Sequence, residues 1–289
     1  MSVTKFLVPS AEDMFADVEI HIVDAAPNVL MLIGEGGNIG VSCGSDGVLM
    51  VDAQFAPLTD RILAAVRTRT EGPLKLLVNT HWHQDHVGGN GNMKAQGALI
   101  AAHRNTRSRM CTEQFMGAVG SRVPASPPAA LPDFTFTDTL TCHWNGDQIN
   151  IFHAASAHTD GDVIVHFGQA NVVQMGDTYF NGMYPFVDID TGGSIDGMIA
   201  AADRVLALSD EATRIIPGHG ALSDWTELQA YRNMMSGIRD AVANLIARGY
   251  SKEAIIAARP AARYDAVWGG GLLDADTFID HVTTSLQGQ

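Results

Sequence analysis

Three histidines and an aspartate lie within six consecutive positions, 81 to 86, in the stretch THWHQDHVGGN. Neutral imidazole nitrogens and a carboxylate oxygen are ligands that suit zinc. A loop can turn its side chains in different directions, so one loop can serve two metal ions. His81 and His83 are candidates for one ion, and Asp85 and His86 are candidates for the other. A polar surface loop rarely gathers three histidines at this spacing by chance, so the pattern favours a metal centre.

Three later residues can complete such a centre. His158 lies in AHTDGD, Asp177 in MGDTYF and His219 in PGHG, each in a turn or at the end of a predicted strand. Glycines beside Asp177 and His219 allow the tight backbone paths that bring a side chain up to a metal ion. Together with the residues at 81 to 86, the sequence offers seven candidate ligands.

The segments that must position these residues are short β-rich runs separated by Asn, Gly and Asp. They are VEIHIVD, NVLMLIG, NIGVSCG, GVLMVDA, KLLVNTH and ALIAA in the first half, and FTFTDTLTCHW, QINIFHA, DVIVHFG, NVVQMGD and TRIIPGHG in the second. The first four runs predict an antiparallel meander with a hairpin turn at 45–47. The run KLLVNTH predicts a buried strand whose end delivers the histidine cluster.

Helices are predicted where apolar residues recur at spacings of three and four. Such positions are Leu58, Ile62 and Val66; Ile195, Met198, Ile199, Ala202, Val205 and Leu206; and Leu228, Tyr231, Met235, Ile238, Val242 and Leu245. Each half thus runs strands first and helices afterwards, which predicts two αβ layers packed sheet to sheet with helices outside. We expect one α/β domain over 1–289, with halves at about 18–123 and 133–289 joined by the proline-rich loop PASPPAALP.

The chain resembles the metallo-β-lactamase superfamily in five motifs that follow one another in that family's order. They are Asp52 in LMVDA, the HxHxDH pattern at 81–86, His158, Asp177 and His219, over about residues 18–225. The resemblance implies a four-layer αββα sandwich with the site in a cleft at one edge of the two sheets. It assigns His81, His83 and His158 to a first zinc ion, Asp85, His86 and His219 to a second, and Asp177 to a bridging position. Asp52 would hold the HxHxDH loop, or else be a turn aspartate after a strand.

Two zinc ions are the cofactors that the resemblance implies, and iron and manganese are compatible with the same ligands. Two neighbouring cations lower the pKa of a shared water enough to give hydroxide at neutral pH, which attacks a carbonyl group. Asp85 is the candidate catalytic residue, because it can accept a hydrogen bond from the hydroxide as well as bind metal.

The aspartate at position 177 discriminates among hydrolases of this superfamily. Efficient β-lactamases carry cysteine or serine there, whereas glyoxalase II and the lactonases carry a bridging aspartate. We therefore expect a dizinc hydrolase that opens a cyclic amide or ester, with modest β-lactamase activity. The alternatives are a lactonase or a thioesterase of the glyoxalase II type and, less favoured, a non-enzymatic metal-binding scaffold. Relatives that bind two irons have a glutamate in the HxHxDH motif, where this chain has Gln84.

Several other side chains leave a choice between site and core. Trp82 either packs in the core or lines the cleft. The aromatic residues after Asp177 either form an apolar wall for substrate or bury their own loop; they are Tyr179, Phe180, Tyr184 and Phe186. The proline-rich loop, 124–132, is either a lid or a linker. The remaining histidines, among them His103 and His153, are expected to be structural, and Cys43, Cys111 and Cys142 to be buried apolar side chains.

Composition sets the class of partner. With 18 basic and 32 acidic residues the net charge is −14, which disfavours nucleic-acid and membrane binding and favours a small-molecule substrate. No apolar run approaches the roughly 20 residues of a membrane span. The first residues do not read as a secretory signal, and three cysteines without a CxxC pair fit a reducing compartment. We expect a cytoplasmic protein, or a periplasmic one if a signal precedes this sequence.

Overall fold

The computed structural model describes residues 14–116 and 120–288. The first nine strands are β1 (His21–Ala26), β2 (Val29–Ile33), β3 (Ile39–Ser42), β4 (Val48–Val51), β5 (Leu74–Asn79), β6 (Leu99–His103), β7 (Gln114–Met116), β8 (Ser121–Val123) and β9 (Phe134–Phe136). Seven of them form the first sheet, in the order β1-β2-β3-β4-β5-β6-β9, and β7 and β8 form a separate hairpin. The strands β1 to β4 pair antiparallel, so the predicted meander is confirmed. Its turn before β4 ends at Gly47, which has a φ of 104°.

The second sheet contains six strands of the later half. They are β10 (Thr139–Trp144), β11 (Asp147–His153), β12 (Val163–Phe167), β13 (Val172–Gln174), β14 (Arg214–Ile216) and β15 (Ser223–Asp224), in that spatial order. The strands β13 and β14 pair parallel and the other neighbours antiparallel. Parallel pairs at β4, β5 and β6 and at β13 and β14 bring the carboxyl ends of these strands to the same edge of each sheet.

Nine α-helices are found among the described residues. They are α1 (Thr59–Arg67), α2 (Gln84–Val87), α3 (Asn90–Ala95), α4 (Arg104–Met110), α5 (Ile195–Leu208), α6 (Trp225–Ala247), α7 (Lys252–Ala257), α8 (Asp265–Trp268) and α9 (Ala275–Gln287). The predicted helices at 58–66, 195–206 and 228–245 are thereby confirmed. The long helix α6 begins with Asp224 capping the backbone N–H of Glu227 and is followed by Gly249 at a φ of 79°. None of the helices in the described ranges is long and apolar enough to cross a membrane.

Alternation along the strands produces the four layers. In β2, Val29 and Met31 belong to the core between the two sheets, whereas Leu30 and Leu32 belong to the core on the outer face of the first sheet. The inter-sheet core includes Leu49, Val51 and Val78 of the first sheet and Ile149, Ile151, Val163, Val165 and Phe167 of the second. Helix α1 covers the first outer face, and α5, α6 and α9 cover the second. The predicted αββα sandwich is therefore confirmed.

The run FTFTDTLTCHW is not one strand of the second half. Its first part is β9, which pairs parallel with β6 at the edge of the first sheet, and its second part is β10. Asp133 explains why β9 lies in the first sheet. Its backbone N–H donates to Ile100 O at 2.7 Å, and its carboxylate accepts from Ile100 N at 2.9 Å, which places it next to β6. The proline-rich loop also contains one 3₁₀ turn, Pro128–Ala130, where only irregular structure is predicted.

The cysteines differ from the expectation that all three are buried. Cys111 is exposed just after α4, and Cys43 and Cys142 are half-buried. All three are free thiols, and burial raises the pKa of Cys43 and of Cys142. None of them lies in the candidate centre described below.

Candidate metal centre

Strand ends deliver the candidate ligands to one edge of the sandwich. The HxHxDH stretch follows β5 directly, with Asp85 and His86 on the short helix α2. His158 lies in the connection between β11 and β12, Asp177 follows β13, and His219 follows β14. The structure therefore brings all seven predicted ligands together, from both sheets.

The first group of ligands is buried. One ligand atom from each of His81, His83, His158 and Asp177 lies within 4.8 Å of the others. His158 Nε2 is 2.9 Å from His83 Nδ1, and Asp177 Oδ2 is 3.6 Å from His158 Nε2 and 3.8 Å from His81 Nε2. No side chain of this group is more than 5% exposed.

The second group lies beside the first and is partly exposed, with His86 buried and the other two members reaching solvent. Ligand atoms of Asp85, His86 and His219 also fall within 4.8 Å of one another, with Asp85 Oδ2 at 3.4 Å from His86 Nε2 and 3.3 Å from His219 Nε2. Asp85 is 26% exposed and His219 is 23% exposed. A substrate can therefore reach the centre from the side of the second group.

Asp177 lies between the two groups. Its Oδ1 is 3.0 Å from His86 Nε2, and its Oδ2 is 3.3 Å from His219 Nε2 as well as close to the histidines of the first group. This placement is the one that a bridging carboxylate requires.

Three buried atoms at the centre lack hydrogen-bond partners among the described residues. They are His81 Nε2, His86 Nε2 and Asp177 Oδ1. Buried polar atoms are normally paired, and atoms that converge without a hydrogen bond between them suit a cation. The set of five imidazoles and two carboxylates fits zinc, iron or manganese. The residues present thus fit the metal site that the sequence predicts.

The ionisation of the two groups differs. Burial lowers the pKa of His158 to about 4 and that of His81 well below its ordinary value, so both imidazoles are neutral ligands at pH 7. Burial also lowers the pKa of His219, but the neighbouring Asp177 carboxylate reverses the shift and raises it to about 9. Without metal, His219 therefore carries a proton at neutral pH that an incoming ion displaces.

Asp52 contacts the ligands from behind. It is fully buried at a φ of 67°, its Oδ2 is 2.8 Å from His86 Nδ1, and it accepts hydrogen bonds from Thr80 N and Thr80 Oγ1 at 2.8 and 2.7 Å. A carboxylate that accepts from a ligand histidine fixes the ring orientation and raises its basicity. The geometry agrees with the supporting role rather than with a simple turn aspartate.

We expect Asp52→Asn to weaken metal binding by about 10- to 100-fold, since carboxylates that hydrogen-bond to a ligand histidine contribute that much. Competition with a chromophoric chelator measures the affinity. The control is Asp24→Asn, because Asp24 is 62% exposed and pairs with Arg69 on the surface, away from the centre. Equal affinity in the wild type and the Asp52 variant would contradict the role.

The structure decides most of the choices that the sequence leaves open. Trp82 is 1% exposed and packs with Val87 and Met110, so it belongs to the core. The aromatic residues after Asp177 are all buried, at 0%, 1%, 0% and 9% exposure for Tyr179, Phe180, Tyr184 and Phe186. An apolar wall for substrate is therefore wrong for them. Phe180 instead stacks on the His219 ring, with centroids 5.2 Å apart.

The proline-rich loop is hydrogen-bonded to helix α3, which follows the histidine cluster. Ala130 O accepts from Asn90 Nδ2, and Leu131 O accepts from Lys94 Nζ. The structure favours the linker over the lid for these residues. His103 and His153 stack on each other at 3.8 Å and direct their Nε2 atoms to backbone carbonyls, as expected of structural histidines.

Two contacts of the centre were not predicted from the sequence. Asp188 Oδ2 lies 2.9 Å from His83 Nε2, and the turn at Gly36–Asn38 lies against His86 and the loop of His219. Asp188 stands in PFVDID and Asn38 in GGNIG, and neither string carries a spacing that singles it out.

Comparison with known proteins gives one family. The profile described as the metallo-beta-lactamase superfamily matches residues 32–219. The metallo-beta-lactamase type 2 of Bacteroides fragilis is 20% identical over 185 residues, which are 61% of this chain and 69% of that protein. The hydroxyacylglutathione hydrolase of Pelagibacter ubique is 29% identical over 148 residues, which are 50% of this chain and 52% of that protein, so the chain spans about half of its length.

Solved structures share the fold. A metallo-beta-lactamase from Pontibacter korlensis superposes with a TM-score of 0.61 and 18% identity, over 75% of this chain and 99% of that one. The sec-alkylsulfatase Pisa1 from Pseudomonas sp. superposes with a TM-score of 0.65 and 14% identity, over 94% of this chain and 51% of that one. At these identities the likeness concerns the fold alone.

Proposed function

The chain belongs to the metallo-beta-lactamase superfamily, and from that premise we propose that its seven clustered ligands hold two zinc ions and that the protein hydrolyses a cyclic amide or ester. The observation that carries the proposal is the position of Asp177, with one oxygen 3.0 Å from His86 of the second group and the other 3.6 Å from His158 of the first. When bound, two such ions supply a Lewis acid for the carbonyl oxygen and lower the pKa of a shared water.

The residues of the chain orient the reactants. Asp85 lies on the open side, where a carboxylate can accept a hydrogen bond from the attacking water and direct its lone pair towards the carbonyl carbon. Burial of His81, His83 and His158 excludes water from the first group, which strengthens electrostatic interactions there. His219 and Asp85 border the entrance, so the leaving group is expected to depart on their side.

The net charge of −14 supports a small-molecule substrate rather than a nucleic acid or an anionic membrane. The free thiols support a reducing, cytoplasmic setting.

A thioesterase of the glyoxalase II type is the second candidate. Two observations favour it: the carboxylate at position 177, and the hydroxyacylglutathione hydrolases of Pelagibacter ubique and Erythrobacter litoralis among the relatives, at 29% and 30% identity. The Erythrobacter protein matches over 103 residues, which are 33% of its length. The two candidates differ in the leaving atom and not in the ligands.

The test is elemental analysis of the purified protein together with hydrolysis of three probes, a chromogenic cephalosporin, an acyl lactone and a thioester. We expect about two zinc ions per chain, with the lactone or the cephalosporin hydrolysed fastest and Asp85→Asn lowering the rate by more than its loss of metal accounts for. A fastest reaction on the thioester selects the second candidate. Two ions per chain without hydrolysis of any probe would overturn the hydrolytic function.

A further inference from the structure

One segment, Phe186–Thr191, contacts two of the buried histidines of the first group, His83 and His158. Phe186 O accepts from His158 Nδ1 at 2.8 Å, and Asp188 N donates to His158 O at 2.9 Å. Asp188 Oδ2 lies 2.9 Å from His83 Nε2. Because an ionised carboxylate only accepts hydrogen bonds, His83 carries its proton on Nε2 and presents Nδ1 to the centre.

Asp188 is itself fixed. It is 2% exposed, and Thr191 Oγ1 donates to its Oδ2 at 2.6 Å. Trp82 Nε1 in turn donates to Thr191 Oγ1 at 3.3 Å. This buried chain of hydrogen bonds leaves the carboxylate little freedom to turn away from His83.

A different segment, Gly36–Asn38, surrounds the second group. The Asn38 side chain donates to Pro217 O at 3.0 Å and Gly220 O at 2.9 Å, and its backbone N–H donates to Gly218 O at 2.7 Å. These three bonds bracket His219 on both sides. The turn is held in place by Gln174 Nε2, which donates to Asn38 O at 3.1 Å.

The same turn also contacts the other two ligands of the second group. Gly37 N donates to Asp85 O at 3.2 Å. A Cβ atom at Gly37 would lie 2.0 Å from His86 Cε1, so only glycine allows this approach to the ring. None of the described contacts of this turn reaches His83 or His158.

We propose that Asp188 and Asn38 are positioning residues for different metal ions, Asp188 for the ion of His81, His83 and His158, and Asn38 for the ion of Asp85, His86 and His219. Each metal position then depends on its own supporting segment, so a change in one segment affects one affinity far more than the other. Asp52 differs from both, because it contacts His86 directly and reaches His81 through Thr80, whose Oγ1 is 3.0 Å from His81 Nδ1.

The test compares stepwise binding of Co²⁺ by the wild type, Asp188→Ala and Asn38→Ala. Co²⁺ in a three-histidine group and Co²⁺ in a group with fewer imidazoles absorb differently, so each step can be followed separately during a competition titration. We expect Asp188→Ala to weaken the first-group step by about 10- to 100-fold with the second step within about threefold, and Asn38→Ala to do the reverse. Each variant is the matched control for the other.

The variants Asp188→Asn and Asn38→Asp retain side-chain volume and replace the alanine variants if those do not fold, as judged by circular dichroism of the metal-free protein. Asn38→Asp loses the donor to Pro217 O and Gly220 O, and Asp188→Asn loses the negative charge beside His83. Each should again weaken mainly its own binding step, by a smaller factor than the alanine variant does. Equal losses at both steps, or no change in any variant, would overturn the proposal.

The inference rests on the proposed two-metal centre, and the wild-type titration separates the two failures. One ion or none bound by the wild type contradicts the two-metal centre. If the wild type binds two ions but neither variant selectively weakens its own step, only the proposal of separate supports is contradicted.

Discussion

Asp177→Asn is expected to lower kcat/KM by more than about 100-fold, because ligand-supporting residues already contribute 10- to 100-fold and Asp177 contacts both groups itself. Asparagine has nearly the same shape but has no negative charge and offers one oxygen instead of two. The amide nitrogen would then face either His86 or the ring nitrogens on the other side, where it cannot bind a cation. We expect metal content to fall below two ions per chain along with the rate.

The measurement is kcat/KM on the fastest probe together with zinc content after dialysis. Asp147→Asn is the matched control, because Asp147 is also a buried aspartate of the second sheet, where it begins β11 and accepts hydrogen bonds from Gln169 N and Ala170 N away from the centre. Its variant should keep its metal and its rate. An Asp177 variant with full metal content and full activity would remove the bridging role.

Removal of the metal ions is expected to abolish activity and to lower Tm by about 8 °C or more. An ion present at 1,000 times its dissociation constant stabilises the folded state by about 4 kcal/mol, and each kcal/mol changes the Tm of a chain of this size by about 2 °C. The neighbouring carboxylates Asp85 and Asp177, each 3.3 Å from His219 Nε2, contribute to that affinity because a cation offsets their charges.

Thermal unfolding with and without chelator checks this expectation, and readdition of zinc should restore both Tm and rate. The variant Asp177→Asn is the control, since a chain that binds metal poorly should change its Tm much less when chelator is added. A wild-type Tm that stays constant while the zinc content drops to zero would show that the ions do not couple to folding.

The sequence predicts the layers of this fold well where periodicity is long and uninterrupted. The apolar spacing from Leu228 to Leu245 indicates α6, and the continuous apolar run in NVLMLIG is typical of a strand that is buried on both faces. The sequence fails at β9, because three residues carry too little pattern to choose a sheet. The choice depends on Asp133, whose two hydrogen bonds to Ile100 are contacts between segments distant in the chain.

The ligands are also easier to predict from the sequence than the residues that position them. The stretch at 81–86 is visible because four ionisable side chains lie within six positions, and the later ligands are found through the order of the motifs. Asp188 and Asn38 act by hydrogen bonds to distant partners, His83 and the carbonyl groups around His219. An aspartate or asparagine in a turn is common for local reasons, so its type alone does not reveal such a contact.

The origin of the ligands in both sheets has a consequence for how the two layers stay together. An ion shared by His83 and His158 closes a loop of chain between residues 75 positions apart. An ion shared by Asp177 and His86 likewise links the second sheet to the first. Closing long loops removes conformational entropy from the unfolded chain, as a disulfide does. All three cysteines are free thiols, so metal ions would take the place of disulfides as cross-links in this protein. Such cross-links form and break with the supply of metal.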